Sequence, residues 1–214
     1  MAPNGLRREV SGLTNSVIGG RTGIAVAAAA LAIVLAGLYV WRTLDAGPAP
    51  PPSDIGGGFR LVDQTGKSVN EGLLRGKWSA VFFGYTYCPD VCPTTLANLG
   101  RATDELGGLA ARFQVVFITV DPDRDTPKAL GAYLSSQTFP KGAIGLTGSP
   151  SQIAAVAKAY HVYYQRVPQG SSYTMDHSAI VYLMDPKGRF VKPLDGSVAP
   201  PQIAGQIRET IAGG

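Results

Sequence analysis

The sequence has 214 residues, which predicts one ordinary domain with additional segments, since a domain typically spans about 100–200 residues. Its net charge of +4 is spread over both signs along the chain, which argues against a nucleic-acid-binding protein with a basic stripe. With two cysteines in all, the chain cannot be a small secreted scaffold held together by many disulfides.

An uncharged apolar stretch, residues 24–41, dominates the N-terminal part of the sequence. Together with Thr22 and Gly23 it reaches the length of about 20 residues that a transmembrane helix needs. The apolar core of a signal peptide is shorter, at about 7–15 residues. We therefore predict an uncleaved anchor in the lipid bilayer over residues 22–42.

The arginines around this stretch predict its orientation. Arg7, Arg8 and Arg21 precede it, and only Arg42 follows it closely. By the positive-inside rule, residues 1–21 are then cytoplasmic and the rest of the chain lies outside the cytoplasm. We expect a single-pass protein of a bacterial inner membrane with a periplasmic domain. A mitochondrial inner membrane is less favoured, because the short segment before the span contains an acidic residue, unlike a transit peptide.

Residues 43–58 are predicted to be a linker. They include the run DAGPAPPPSDIGGG, which is rich in proline and glycine and has no apolar pattern. The folded domain is therefore predicted over residues 59–214.

Strand and helix patterns alternate within that domain. Apolar and polar residues alternate on both sides of a turn at Gly66, which predicts a β-hairpin over residues 59–69. Two short apolar runs, 79–85 and 114–120, predict strands buried on both faces of a sheet. Helices are predicted at about 93–113, 126–136, 150–160 and 200–211, further strands at 162–167, 178–184 and 189–191, and a short strand edge or loop at 144–147.

This order predicts an α/β domain with three layers and a mixed sheet. A thioredoxin-like fold with an N-terminal β-hairpin extension fits it best, preceded by the single transmembrane helix. In open α/β sheets, catalytic and binding groups gather on the loops at the carboxyl ends of the strands.

The two cysteines, Cys88 and Cys92, follow the first buried strand on the turn into the next helix. A helix N-terminus stabilises thiolates, so both sulfurs are expected to be reactive. Their spacing leaves two chemistries open. The α-carbons can lie within the range of about 4.4–6.8 Å that a disulfide tolerates, which suits a redox-active pair. The thiolates can equally bind a metal, where soft sulfur selects Cu(I) and Zn(II) and an added imidazole accommodates Cu(II).

A histidine would distinguish these two chemistries. His177 directly precedes the predicted strand 178–184, on a loop expected to face the N-terminus of the first helix of the domain. Cys88, Cys92 and His177 are therefore the candidate metal ligands, whereas His161 is predicted to be structural. Met175 is predicted to pack rather than to supply a fourth ligand.

The charged run Asp121 to Pro127, DPDRDTP, is predicted to be a structural turn after the second buried strand. Its carboxylates are expected to cap the next helix and to pair with Arg124, and Thr126 is the predicted N-cap. A docking surface for a partner is the alternative. Asp90, between the cysteines, is expected to be exposed.

Four stretches in order along the domain resemble the Sco/SenC family of copper-binding proteins: FGYTYCPDVCP at 83–93, VDPDRDTP at 120–127, GLTG at 145–148 and DHS at 176–178. The resemblance implies a thioredoxin-like fold and copper, as Cu(I) or Cu(II), bound by Cys88, Cys92 and His177. It also implies a role in assembling the binuclear copper centre of cytochrome c oxidase subunit II. Asp176 is expected to orient the imidazole.

Two functions follow from this resemblance and these residues. The first is a metallochaperone that takes copper from an unidentified donor protein and passes it to subunit II by ligand exchange. The second is a thiol–disulfide oxidoreductase that keeps the acceptor cysteines reduced, since thiol pairs outside the cytoplasm are pressed toward disulfide. His177 separates the two, because electron exchange needs only the sulfurs.

Overall fold

The structure is a computed structural model and describes residues 20–45 and 54–213. The predicted cytoplasmic segment before residue 20 and most of the predicted linker, residues 46–53, lie outside the described residues. The chain divides into two compact units, Met1–Pro50 and Pro51–Gly214.

The first unit contains helix α1 (Gly20–Asp45). Side chains are described for residues 24–40 of this helix, and large apolar ones such as Ile24, Leu31 and Ile33 are exposed. No helix among the described residues combines the length and the apolar character that crossing a membrane requires. A helix thus occupies the predicted span, but its transmembrane character is not confirmed.

The second unit is built on a seven-stranded mixed sheet. The strands are β1 (Arg60–Asp63), β2 (Ser68–Asn70), β3 (Trp78–Gly84), β4 (Phe113–Thr119), β5 (Ile144–Thr147), β6 (Tyr164–Gln169), β7 (Ser172–His177), β8 (Ile180–Met184) and β9 (Phe190–Asp195). The sheet order is β2-β1-β5-β4-β3-β8-β9, while β6 and β7 form a separate two-stranded sheet. Strands β3, β4 and β5 are parallel neighbours, and the other pairs are antiparallel.

Helices cover both faces of the large sheet. They are α2 (Val91–Glu105), α3 (Pro127–Leu134), α4 (Pro150–Ala159) and α5 (Pro200–Gly213). Because successive residues of a strand point to opposite faces, Phe82 and Phe83 of β3 belong to different cores. Phe82 packs in a core with Leu96 of α2, and Phe83 packs in a core with Ile153 of α4. This confirms the predicted three-layer α/β domain of thioredoxin type with an N-terminal hairpin.

Hydroxyl side chains start two of the helices. The backbone N–H of Ala129 donates to Thr126 Oγ1 over 3.2 Å, which confirms Thr126 as the N-cap of α3. The prediction that carboxylates of the 121–127 run cap this helix is wrong, because those carboxylates bind other groups: Asp121 binds Arg124, Asp123 binds Arg166, and Asp125 accepts from Thr86 and Thr119. Ser149 begins α4 in a reciprocal capping box with Gln152.

Two other predictions need correction, and one strand was missed. The helix predicted to reach residue 113 ends at Glu105, because Gly107 adopts a left-handed φ of 58° and a separate 3-10 turn, Gly107–Arg112, follows. Strand β5 is not at an edge but lies between β1 and β4. Strand β7 was not predicted at all.

Candidate metal centre

The end of strand β3 and the start of helix α2 position both cysteines. All seven residues of β3 are buried, and the loop that follows it carries Cys88. Cys92 lies in the first turn of α2 and is completely buried, while Cys88 is half-buried. The backbone N–H of Cys92 points at Cys88 Sγ over 3.4 Å. Neither cysteine forms a disulfide in the structure.

His177 completes the group from a distant part of the chain. It is the last residue of β7, and its Nε2 lies 3.4 Å from Cys92 Sγ. The two sulfurs and one imidazole nitrogen all lie within 4.8 Å of one another. The structure thus brings together the three residues that the sequence singled out.

A backbone group, rather than Asp176, orients the imidazole. His177 Nδ1 lies 3.0 Å from the carbonyl oxygen of Ser178. A carbonyl can only accept, so Nδ1 carries a hydrogen and Nε2 is the nitrogen that faces the cysteines. The expectation for Asp176 is wrong, because adjacent strand residues point to opposite faces and its side chain is exposed.

Two aromatic rings pack edge-on around the imidazole. The ring centroids of Tyr85 and His177 are 5.8 Å apart at an interplanar angle of 90°, and those of Phe82 and His177 are 6.4 Å apart at 64°. These rings restrict the rotation of the imidazole and shield its inner edge from water.

The two thiols have opposite electrostatic environments. The hydrogen bond from Cys92 is the largest influence on Cys88, and together with His177 it outweighs burial and lowers the pKa of Cys88 to about 3. The hydrogen bond to Cys88 and then burial raise the pKa of Cys92. These opposite shifts favour the thiolate form at Cys88 and the thiol form at Cys92.

The spacing of the three groups suits one shared metal ion. Protein zinc sites place sulfur about 2.3 Å and imidazole nitrogen about 2.0 Å from the ion, which at angles near 109–120° separates the two ligands by about 3.5–3.7 Å. The observed separation of 3.4 Å between Cys92 Sγ and His177 Nε2 is close to this value. Two such sulfurs would lie about 3.8–4.0 Å apart, so a movement of about 1 Å or less closes the group around an ion.

Other candidates do not join the group. His161 is exposed, and its Nε2 lies 3.9 Å from Asp54 Oδ2. Met175 is buried in the core, as predicted. Asp90 is exposed, as predicted.

Sequence reasoning missed Gly84, the last residue of β3. A β-carbon at this position would lie 2.6 Å from Cys92 Sγ and 2.9 Å from Phe117 Cε2. The sulfur therefore occupies the space that a side chain at residue 84 would need. A glycine ending an otherwise bulky apolar run, just before a cysteine motif, was the available signal.

The chain is similar to known proteins of one family. The SCO1/SenC family model matches residues 47–212. Protein SCO1 homolog 1, mitochondrial, of Arabidopsis thaliana is 44% identical over 148 residues, which are 68% of this chain. Protein SenC of Rhodobacter capsulatus is 38% identical over 195 residues, which are 86% of this chain and 87% of that protein. The structure of Bradyrhizobium japonicum ScoI with copper bound superimposes with a TM-score of 0.67 at 45% identity, covering 72% of this chain and 98% of that one.

The coverage differs between these relatives. The match spans 44% of the length of the Arabidopsis protein, so that protein has a large part without a counterpart in the alignment. The family match, in contrast, covers all but the last two residues of the unit Pro51–Gly214, which carries the cysteines and the histidine. The chain is a member of the SCO1/SenC family.

Proposed function

We propose that the protein is a copper metallochaperone that binds Cu(I) or Cu(II) through Cys88, Cys92 and His177. The observation that carries the proposal is the convergence of two sulfurs and one imidazole nitrogen within 4.8 Å. A relative that is 45% identical, Bradyrhizobium japonicum ScoI, has been solved with copper bound, which supports copper as the ion. Soft thiolates with an imidazole form a donor set that accommodates both copper oxidation states.

The acceptor is proposed to be the binuclear copper centre of cytochrome c oxidase subunit II, and the donor is a second protein. Three ligands suit transfer better than four, because a three-coordinate ion can add an incoming ligand before it loses one of its own. Closed structural sites, in contrast, usually hold zinc with four protein ligands.

The proposal includes a location in the cell. Residues 1–21 are assigned to the cytoplasm, 22–42 to a membrane anchor, 43–58 to a linker and 59–214 to the copper-binding domain in the periplasm. The uncharged stretch 24–41 and the arginines before it support this assignment. The exposed apolar side chains of α1 are consistent with a helix that meets lipid.

The second candidate is a thiol–disulfide oxidoreductase that keeps the acceptor cysteines reduced. It is favoured by the pairing of a Cys88 thiolate with a Cys92 thiol, because a thiolate is the form that attacks a disulfide. This chemistry uses the two sulfurs and does not require His177.

The substitution His177→Ala separates the two functions. In the copper-carrier proposal, it abolishes Cu(II) binding and weakens Cu(I) binding, while the two thiols remain oxidisable. Copper affinities are measured by competition with chelators of known affinity, and thiol oxidation is followed by alkylation and mass spectrometry. His161→Ala is the matched control, since His161 is exposed and outside the group.

A wild-type affinity for Cu(II) in the His177→Ala protein would rule out the proposed ligand set. Complementation of oxidase assembly then decides which role matters in the cell. Loss of assembly with His177→Ala supports copper delivery, and normal assembly supports thiol reduction.

A further inference from the structure

The loop between β4 and α3 touches the segment that carries the cysteines. Asp125, in this loop, is completely buried. Its carboxylate accepts hydrogen bonds from the backbone N–H of Thr86 over 3.0 Å and from the hydroxyl groups of Thr86 and Thr119, each over 2.6 Å. Because Thr86 lies two residues before Cys88, Asp125 holds the start of the cysteine loop.

The preceding residue of the same loop touches the hairpin that carries the histidine. Arg124 donates from Nη1 to the carbonyl oxygen of Tyr173 over 3.1 Å, and its guanidinium lies 3.8 Å from the centre of the Tyr173 ring. Tyr173 belongs to β7, the strand that ends at His177. Asp121 joins both partners, since it forms an ion pair with Arg124 and accepts from the Tyr173 hydroxyl over 2.8 Å.

Arg124 also reaches the aromatic residues of the cysteine loop. Its guanidinium lies 4.6 Å from the ring centre of Tyr87 and 5.8 Å from that of Tyr85. Cation–π contacts of this kind act within about 6 Å of the ring centre. The guanidinium therefore lies between one ring of the hairpin and two rings of the loop that leads to Cys88.

The hairpin depends on such side-chain contacts for its position. Strands β6 and β7 pair only with each other and not with the seven-stranded sheet. A two-stranded hairpin is at best marginally stable by itself. Met175 packs into the core, and the hydroxyl groups of Thr174 and Tyr85 are 2.8 Å apart. Tyr173 links the hairpin to the β4–α3 loop through its contacts with Arg124 and Asp121.

We propose that Arg124 and Asp125 are positioning residues that set the distance between the two halves of the ligand group. Arg124 holds the hairpin and thereby His177, while Asp125 holds the loop and thereby Cys88. This inference rests on the proposed copper-binding function and assigns a role to the charged run DPDRDTP.

The expected size of the effect follows from comparable contacts. Mutation of a group that orients a metal-ligating histidine typically lowers the metal affinity by about 10–100-fold. A lysine cannot replace Arg124, because a compact ammonium group neither stacks as a plane nor reaches the Tyr173 carbonyl and Asp121 with a rigid fork.

The first test compares Arg124→Lys with Arg166→Lys in the full-length protein. Both arginines lie 3.8 Å from the centre of the Tyr173 ring, but the Arg166 side chain is exposed and pairs with Asp123 at the surface. We expect Arg124→Lys to lower Cu(II) affinity by about tenfold or more, as loss of an orienting contact does. Cu(I) affinity is expected to change much less, because the two thiolates remain. The control Arg166→Lys should leave both affinities unchanged. It should also leave unchanged the nitrogen hyperfine signal in the electron paramagnetic resonance spectrum of bound Cu(II), which reports the imidazole ligand.

The second test examines the cysteine side with Thr86→Val. This nearly isosteric change removes one hydrogen bond to Asp125 and displaces the loop before Cys88. Cu(I) and Cu(II) affinities are then expected to fall together, because a thiolate serves both ions. Tyr173→Leu, which removes the stacking ring, should reproduce the Arg124→Lys result if that variant folds poorly. Thermal unfolding reports folding in each case.

The outcomes separate this inference from the proposed function. A wild-type protein that binds no copper would overturn the function itself. A wild-type protein that binds copper, with Arg124→Lys and Tyr173→Leu unchanged in Cu(II) affinity, would overturn the inference alone. Equal losses of Cu(I) and Cu(II) in all three variants would also overturn it, since they would indicate general loosening of the fold.

Discussion

At the scale of single residues, the carbonyl oxygen of Ser178 determines which nitrogen of His177 faces the cysteines. The hydrogen bond comes from the backbone, so it does not depend on the side chain at residue 178. Nε2 is thereby turned toward the cysteines and lies 3.4 Å from Cys92 Sγ. Nε2 is thus the ring nitrogen that is available to a metal ion shared with the two sulfurs.

Gly84 supports a prediction at the same scale. In Gly84→Ala, the new β-carbon would lie 2.6 Å from Cys92 Sγ, so the sulfur must move. Forcing an extra carbon into a packed core typically lowers the free energy of unfolding by about 1–3 kcal/mol. We expect a loss of this size in urea denaturation, together with weaker binding of both Cu(I) and Cu(II).

Gly108→Ala is the control for this change, because nothing lies within 4 Å of a β-carbon at residue 108. Its stability and copper affinities should equal those of the wild type. Unchanged copper affinities in Gly84→Ala would mean that the position of the Cys92 sulfur does not limit binding.

At the scale of elements, strands β3 and β4 and the N-caps of α3 and α4 could be predicted from local sequence. Continuous apolar runs and hydroxyl residues before proline are local signals. The cysteine site was predictable for the same reason, because both thiols lie between a strand and a helix. The strand Ser172–His177 could not be predicted in this way. Its sequence SYTMDH shows no clear alternation of polar and apolar residues, and its partner is another exposed strand.

Contacts between distant elements could not be predicted from the residues alone. The approach of His177 to Cys92 was expected from the assumed topology and from the family resemblance. The contact of Arg124 with Tyr173 has no local signal, because it depends on where the β6–β7 hairpin lies. The carboxylates of the 121–127 run were predicted to cap the helix next to them for the same reason, because Thr86, Arg166 and Tyr173, which bind them, are distant in sequence.

The turn between β8 and β9 supports a prediction about pH. Asp185 is buried and accepts hydrogen bonds from the backbone N–H groups of Lys187 and Arg189 and from Arg189 Nε. Burial by itself would raise the pKa of Asp185, but the hydrogen bonds from Arg189 and Lys187 outweigh it and lower the pKa. A carboxylate with a lowered pKa stabilises the fold above its unfolded pKa of about 3.9, and this contribution is lost as the pH falls.

We therefore expect Asp185→Asn to lower the free energy of unfolding at pH 7 by about 1–3 kcal/mol, the usual cost of unpairing buried hydrogen-bonding groups. The difference from the wild type should shrink below about pH 4, where the unfolded carboxyl is protonated. Urea denaturation at pH 7 and below about pH 4 measures this difference in the free energy of unfolding. Asp104→Asn, at an exposed position of α2, is the control. A difference independent of pH would contradict the assigned role of the charge.

At the scale of the whole molecule, the N-terminal unit and the copper-binding domain are proposed to have separate tasks. If residues 22–42 anchor the protein, the full chain expressed in a bacterium should stay with the membrane fraction after extraction with alkaline carbonate. The same chain without residues 1–42 should be released and should still bind copper. Release of the full chain by carbonate would contradict the anchor and leave the copper site unaffected.

The unequal exposure of the two sulfurs predicts a direction for the proposed copper exchange. Cys92 is completely buried and lies against Gly84 and the core, whereas Cys88 is half-buried on the loop. A ligand arriving from another protein therefore meets the ion on the Cys88 side. Cys88 should therefore be the first sulfur that an incoming ligand replaces, and Cys92 the last to dissociate from the ion. Donor and acceptor proteins would then bind at the same side of the site, so they cannot be bound at the same time.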